Sequence, residues 1–235
     1  MLDLAALKNI RPFVATPNYG GMLSSIYVRS LLGLVNAAWT HGFAMQTRFL
    51  DGDSLIPRAR NRLVAEFMAD PQWTHLFWID ADIGFAPDDA LRLLLSGHDV
   101  VAGVYPMKTD EAPPRFPVQL RPGARADLDG FAEVDAAPTG FMLIARDVLV
   151  RMAAEMPELR YTPDPVPGSN EGSLPHHRFF DVLAEPDNGR YLSEDFAFCH
   201  RWRALGGRVM ADTTSNLTHH GTRNYRGRFD AAFRA

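Results

Sequence analysis

The chain holds one cysteine, Cys199, in 235 residues. A lone thiol excludes an intrachain disulfide, so a reducing compartment is acceptable. No apolar run approaches the roughly 20 residues of a helical membrane span. The opening stretch "MLDLAALKNIRPF" lacks the basic segment followed by an apolar one that marks a secretory leader. Positive charge is not in excess, since the formal net charge is −4. That argues against a dedicated nucleic-acid binder. There is no internal repeat and no low-complexity block. A soluble, cytoplasmic protein with no membrane span and no nucleic-acid partner is the expectation these absences leave.

What is there suffices for one sizeable core. Hydrophobic residues make up 46% of the chain and charged ones 22%, consistent with a single domain over residues 1–235. Residues 13–15 read as a strand running into a loop of Thr16, Pro17, Asn18, Gly20 and Gly21. "SSIYVRSLLGLVNAAWTHG" reads as a helix with Ser24 or Ser25 at its cap and Gly42 at its stop. The strand "FAMQTRFL", the helix "RARNRLVAEFMAD", the strand "THLFWID", the helix "PDDALRLLLSGHD" and the strand "VVAGVY" follow. Such alternation predicts an α/β fold with a mostly parallel sheet flanked by helices.

The second half is less regular. Residues 106–130 and 157–177 are rich in proline and are expected to be loops, long enough to be functional. "GFAEVDAAPTGFMLIARDVL" predicts one or two strands leading into a helix near 147–156, and "RFFDVL" a strand. "SEDFAFCHRWRALGG" predicts a helix capped by Ser193, and "RVMAD" a last short strand before a polar, basic tail.

The apolar strand at 77–79 ends in Asp80, Ala81 and Asp82. Continued strand geometry would point both acids to one side, where they repel unless a cation or proton lies between them. In open α/β sheets ligands gather at such strand ends. Oxygen ligands suit Mg²⁺ or Mn²⁺, which would neutralise charge on a diphosphate leaving group. The plainer reading is a strand-end turn with Asp80 capping local N–H groups.

Several pieces stand in order around these acids: "DGDSLIPRARN" before them, "SED" and "LTHHG" after. The stretch "ARNRLVAEFMADPQWTHLFWIDADIGF" resembles the corresponding segment of glycosyltransferase family 2, and "DADI" resembles Anp1-type mannosyltransferases. The likeness covers roughly residues 10–105 and 135–225 and points to nucleotide-diphospho-sugar glycosyltransferases of the Rossmann-like GT-A fold.

The resemblance implies a nucleoside-diphosphate sugar donor, UDP- or GDP-linked, and a saccharide or other hydroxyl acceptor. It implies Mn²⁺ or Mg²⁺ held by Asp80, Asp82 and His219, the last preferred over His220. Thr16 and Pro17 would line the nucleotide pocket, with Asp51 near the base or ribose. Arg58, Arg60 and Asn61 open a helix, where an arginine fork could clamp the diphosphate. Asp80 and Ala81 would meet the donor, and Gly140 would bring backbone close to its sugar. Asp195, with Glu194 second, would take the acceptor proton in an inverting reaction; a retaining one needs no such base. Tyr225, Arg226 and Arg228 would lie near the diphosphate or form an ordinary basic tail. Trp73, Trp78, Trp202 and Cys199 read as packing.

Two rivals remain at this point. A nucleotidyltransferase of related fold would carry a basic, Gly-rich loop after the first strand, and "TPNYGGMLSS" has no Lys or Arg. A non-catalytic module binding a sugar nucleotide or glycan would keep the pocket without turnover.

Overall fold

The computed structural model describes residues 3–164, 171–185 and 187–230. The chain runs β1 (Pro12–Asn18), α1 (Ser25–His41), β2 (Gln46–Asp51), α2 (Ile56–Ala69), β3 (His75–Ile79), a short β4 (Ile83–Gly84), α3 (Pro87–Leu94) and β5 (Val100–Gly103). After a long connection come β6 (Gln119–Leu120), β7 (Phe131–Ala136), β8 (Phe141–Ala145), α4 (Arg146–Glu155), β9 (Arg160–Tyr161) and β10 (His176–His177). β11 (Leu183–Ala184), β12 (Tyr191–Leu192), α5 (Glu194–Ala204), β13 (Val209–Asp212), β14 (Thr218–His220) and β15 (Asn224–Arg226) complete it.

Local chemistry sets the helix ends. The Ser24 hydroxyl accepts from the Tyr27 N–H at 3.2 Å, and Gly42 closes α1 with φ +71°. Pro57 stands in the first turn of α2, where its missing N–H costs nothing. At the other end of α2, Arg146 donates to the carbonyls of Phe67 and Asp70 at 2.8 and 2.6 Å. The first residue of α4 thus caps α2.

Eight strands form the main sheet in the order β2-β1-β3-β8-β5-β13-β7-β6. β1 runs parallel to β2 and β3, and β5 parallel to β13. β8 and β7 run against their neighbours, so the sheet is mostly parallel with two reversed strands. Helices cover both faces. Leu63, Phe67, Phe198 and Trp202 pack with Leu76 and Trp78 on one side. Tyr27, Leu34, Leu91 and Leu94 pack with Phe77 and Ile79 on the other. β3 is therefore apolar at consecutive positions, as a strand buried on both faces must be.

Three expectations need correction. "RFFDVL" is not a strand: residues 179–180 form a turn, and only Leu183–Ala184 pairs, with β12. The turn is fixed from α2 and α5. Asn61 Oδ1 accepts from the Phe180 N–H at 2.9 Å, and Arg201 Nη1 donates to the Phe179 and Asp181 carbonyls. "RVMAD" is not the last strand, because β14 and β15 follow it, and β14 pairs with β15 and with β4. The segment 106–130 is a loop only in part, since β6 within it extends the sheet. Of the proline-rich segment 157–177, residues 165–170 lie outside the described residues. Among the described residues no helix is long and apolar enough to cross a membrane.

Candidate functional site

β3 stops at Ile79 because its ladder with β8 stops there, at Phe141. Residues 80–82 turn, and four backbone bonds pin them. Asp80 N donates to Gly140 O at 2.9 Å, Ile83 N to Asp80 O at 3.0 Å, Ser24 N to Ala81 O at 3.0 Å, and His220 N to Asp82 O at 2.8 Å. The two acids therefore do not share a strand face. Both still line one cleft of about 640 Å³ with Pro17, Arg60, Ala81, Glu194 and His220. It lies at the carboxyl ends of β1 and β3, where α/β sheets hold ligands.

On the Asp80 side the cation is buried. Arg60 is 2% exposed, and its Nη2 meets the two Asp80 carboxylate oxygens at 3.0 and 3.1 Å. Its Nε lies 3.4 Å from Glu194 Oε1, and its guanidinium sits 5.1 Å from the centre of the Trp78 ring. Its Nη1 is buried with no hydrogen-bond partner among the described residues. Burial raises the Glu194 pKa above the ordinary carboxylate range, against the pull of Arg60.

On the Asp82 side the cation is more exposed, 37% on its side chain. Lys108 Nζ lies 2.5 Å from Asp82 Oδ2, and His219 Nε2 lies 3.5 Å from the same oxygen. The His219 Nδ1–H donates to Pro106 O at 3.0 Å, which fixes the tautomer and turns Nε2 toward Asp82. Burial pushes the Asp82 pKa up, but His219 and Lys108 together outweigh it and hold it below the usual range. His220 instead bonds Asn224 Oδ1 at 2.8 Å. Both histidines lie within β14, not past the last strand.

The other residues singled out in sequence divide. Thr16 is fully buried; its hydroxyl donates to Ile79 O at 2.7 Å and bonds Tyr27 OH, tying β1 to β3 rather than lining the cleft. Asn61 holds the Phe180 turn from inside the core. Gly140 is buried, and a Cβ there would lie 2.4 Å from the Tyr105 hydroxyl, so its bareness makes room for Tyr105. Asp51 and Arg58 line a separate cavity of about 430 Å³ with Asp53, Tyr161 and His176. The Arg58 fork is already taken by Asp53, at 2.8 and 2.9 Å. No arginine of 58–60 therefore offers a whole open fork for a diphosphate. Asp195 does not line the cleft, and its Oδ1 accepts from the Ser193 hydroxyl and from the Phe196 N–H. The Cys199 thiol is buried and pushed up to about 12, a core residue.

The donor set does not fit a divalent ion as it stands. Asp80 faces Arg60, Asp82 carries Lys108, and among the described residues no three His, Cys, Asp or Glu side chains group as metal ligands. Lys108 escaped the sequence reading. The signal was available: it is one of two lysines in a chain with 22 arginines.

No family model matches the chain, and no curated protein matches it in sequence. Among solved structures it is similar to A197 from STIV, at TM-score 0.55 and 16% identity, over 94% of this chain and 91% of that one. GalNAc-T7, solved with UDP, GalNAc and Mn²⁺, aligns at TM-score 0.48 and 10% identity, over 89% of this chain and 44% of that one. A glycosyltransferase involved in glycosylation of the major capsid of PBCV-1 aligns at TM-score 0.33 and 9% identity, over 60% and 63% of the two chains. The A197 likeness is one of fold alone, and the other two are too slight to build on. The fold itself is GT-A-like: a large, mostly parallel sheet with helices on both faces.

Proposed function

We propose that the protein transfers a sugar from a UDP- or GDP-linked donor to a hydroxyl of a saccharide or other acceptor. One observation carries the reading. At the carboxyl ends of β1 and β3, a GT-A-like sheet presents Asp80, Asp82, Arg60 and Glu194 to a single cleft. The resemblance around residues 59–85 supports the donor class.

In this reading the acceptor oxygen attacks the anomeric carbon. The bond from that carbon to the diphosphate oxygen breaks, and the hydroxyl proton passes to a carboxylate. Glu194 suits that role better than Asp195, because it borders the cleft and burial raises its basicity. Asp195 Oδ1 is occupied by Ser193 and Phe196. Arg60 holds Asp80 and Glu194 in place, and its unpartnered Nη1 would be satisfied by a substrate oxygen. The metal dependence expected from D-x-D is the part this geometry supports least. The charge on the leaving diphosphate falls to the chain's own cations.

The test is a panel of UDP- and GDP-sugars, read by thermal shift and by release of nucleoside diphosphate. A ligand that binds only the folded state raises the melting temperature. One donor should do so and be slowly hydrolysed. Stabilisation without turnover in the presence of acceptors would leave a binding module, and no response to any donor would sink the reading.

A further inference from the structure

We infer that Lys108 is the resident cation of the donor site: its ammonium, seated on Asp82, meets the donor's diphosphate, so nucleotide binding does not depend on a divalent ion. The inference rests on the proposed function.

Three observations carry it. The first is contact, with Lys108 Nζ 2.5 Å from Asp82 Oδ2. His219 is the more distant partner, with Nε2 3.5 Å from that oxygen and the Nδ1–H given to Pro106 O, so the ammonium is the nearest cationic group on Asp82.

The second is a built seat. Gly221 lies beside the lysine stem, and a Cβ at that position would stand 3.0 Å from Lys108 Cδ and 3.6 Å from Cε. The loop that delivers the lysine is docked, not loose. Met107 N donates to Arg115 O at 2.8 Å, Asp110 pairs with Arg223, and Pro106 O accepts from the His219 Nδ1–H.

The third is residue choice. A chain that uses arginine 22 times places one of its two lysines here. Lysine is a compact point charge with three donors. One donor serves Asp82, and two remain for phosphate oxygens in the cleft that Asp82 lines. A small divalent ion bound to Asp82 at about 2.0–2.1 Å and an ammonium on the same oxygen would be adjacent like charges, so each excludes the other.

The experiment is calorimetric titration of UDP and GDP, in EDTA and in Mn²⁺, into the full chain and two variants. The unaltered protein should bind one of these nucleotides with affinities within about threefold in the two buffers. Lys108→Ala should bind on the order of tenfold or more weakly in EDTA. Mn²⁺ should restore much of that loss, because removing the ammonium opens Asp82 to the ion. Gly221→Ala keeps the charge but crowds the stem, and should weaken binding severalfold in EDTA. Circular dichroism and melting curves establish that each variant is folded. Binding by the unaltered protein that needs Mn²⁺, or Lys108→Ala binding in EDTA as well as the parent, overturns the inference and leaves the sugar-nucleotide reading standing. No nucleotide binding in either buffer overturns both.

Discussion

Asp80 and Asp82 are two residues apart in the chain and live in different surroundings. Asp80 is held by a guanidinium that is 2% exposed, wedged between Trp78 and Glu194. Asp82 is held by a lysine on a docked loop whose side chain is 37% exposed. The carboxylates themselves are similarly exposed, 29% and 35% on their side chains, so the difference lies in their cations: a buried guanidinium is costly to strip of its partner, whereas a surface ammonium contributes little to stability and can be exchanged. The Asp80 side is thus built as framework and the Asp82 side as a place where ligands trade partners. That division rests on the turn at 80–82, which sends the acids to different neighbours.

The largest expected effect lies on the framework side. Glu194→Gln should lower transfer by about 10²–10⁴ if its carboxylate takes the acceptor proton, with donor binding retained. Asp195→Asn should cost less than Glu194→Gln, since one of its oxygens is already committed to Ser193 and Phe196. Measured transfer rates with product stereochemistry decide the matter: the reverse order would return the role to Asp195, and retention of configuration would remove the need for either base.

Next comes Arg60→Met. It leaves Asp80 and Glu194 facing one cleft without their shared cation. Stripping one partner from a fully buried pair costs about 3 kcal/mol; Asp80 and Glu194 border the cleft at 29% and 16% exposure, so urea unfolding should show a loss below that size. Lys108→Ala, measured alongside, should lose less than about 1 kcal/mol. Equal losses in the two variants would erase the contrast between the two sides.

Much of the framework was legible in the sequence. Ser24 and Gly42 mark both ends of α1, because caps act within a few residues; α2 was expected from Arg58 and starts two residues earlier, at Ile56. The apolar run of β3 announced a strand buried on both faces. What could not be read is what distant segments decide. β8 enters between β3 and β5 from far along the chain, and its register ends the β3 ladder at Ile79. Extrapolating strand alternation through Asp82 therefore failed, although both acids still reach the cleft. Lys108 depends on contacts with Asp82, Gly221 and the β14–β15 hairpin, none of them local. Asn61 is the instructive case within "ARN". Its place in the motif suggested substrate, and its position in the fold is inside the core, where it accepts from the Phe180 N–H. Asn61→Ala should cost about 1–3 kcal/mol through that unsatisfied amide, while nucleotide affinity stays close to the parent's. A large affinity loss at unchanged stability would show that the motif reading was right.

The smallest effect is also the sharpest contrast, because the two sides should respond to pH with opposite sign. Glu194 has a folded-state pKa raised by burial. Between its unfolded value of about 4.3 and that higher folded value, the native state binds more protons than the unfolded one, so stability falls as pH rises. Asp82 has a folded-state pKa lowered, with burial overcome by His219 and Lys108. Its contribution is present above the unfolded value of about 3.9 and is lost as pH falls through the folded value. Asp82 is 35% exposed on its side chain, so solvent screening keeps its share within about 1 kcal/mol. Urea unfolding from pH 3 to 7 should then show Glu194→Gln flattening the decline above about pH 4.3, and Asp82→Asn flattening the rise below about pH 3.9. If both variants flatten the same limb, the two carboxylates share one environment, and the separation of a buried framework from an exchangeable cation site is wrong.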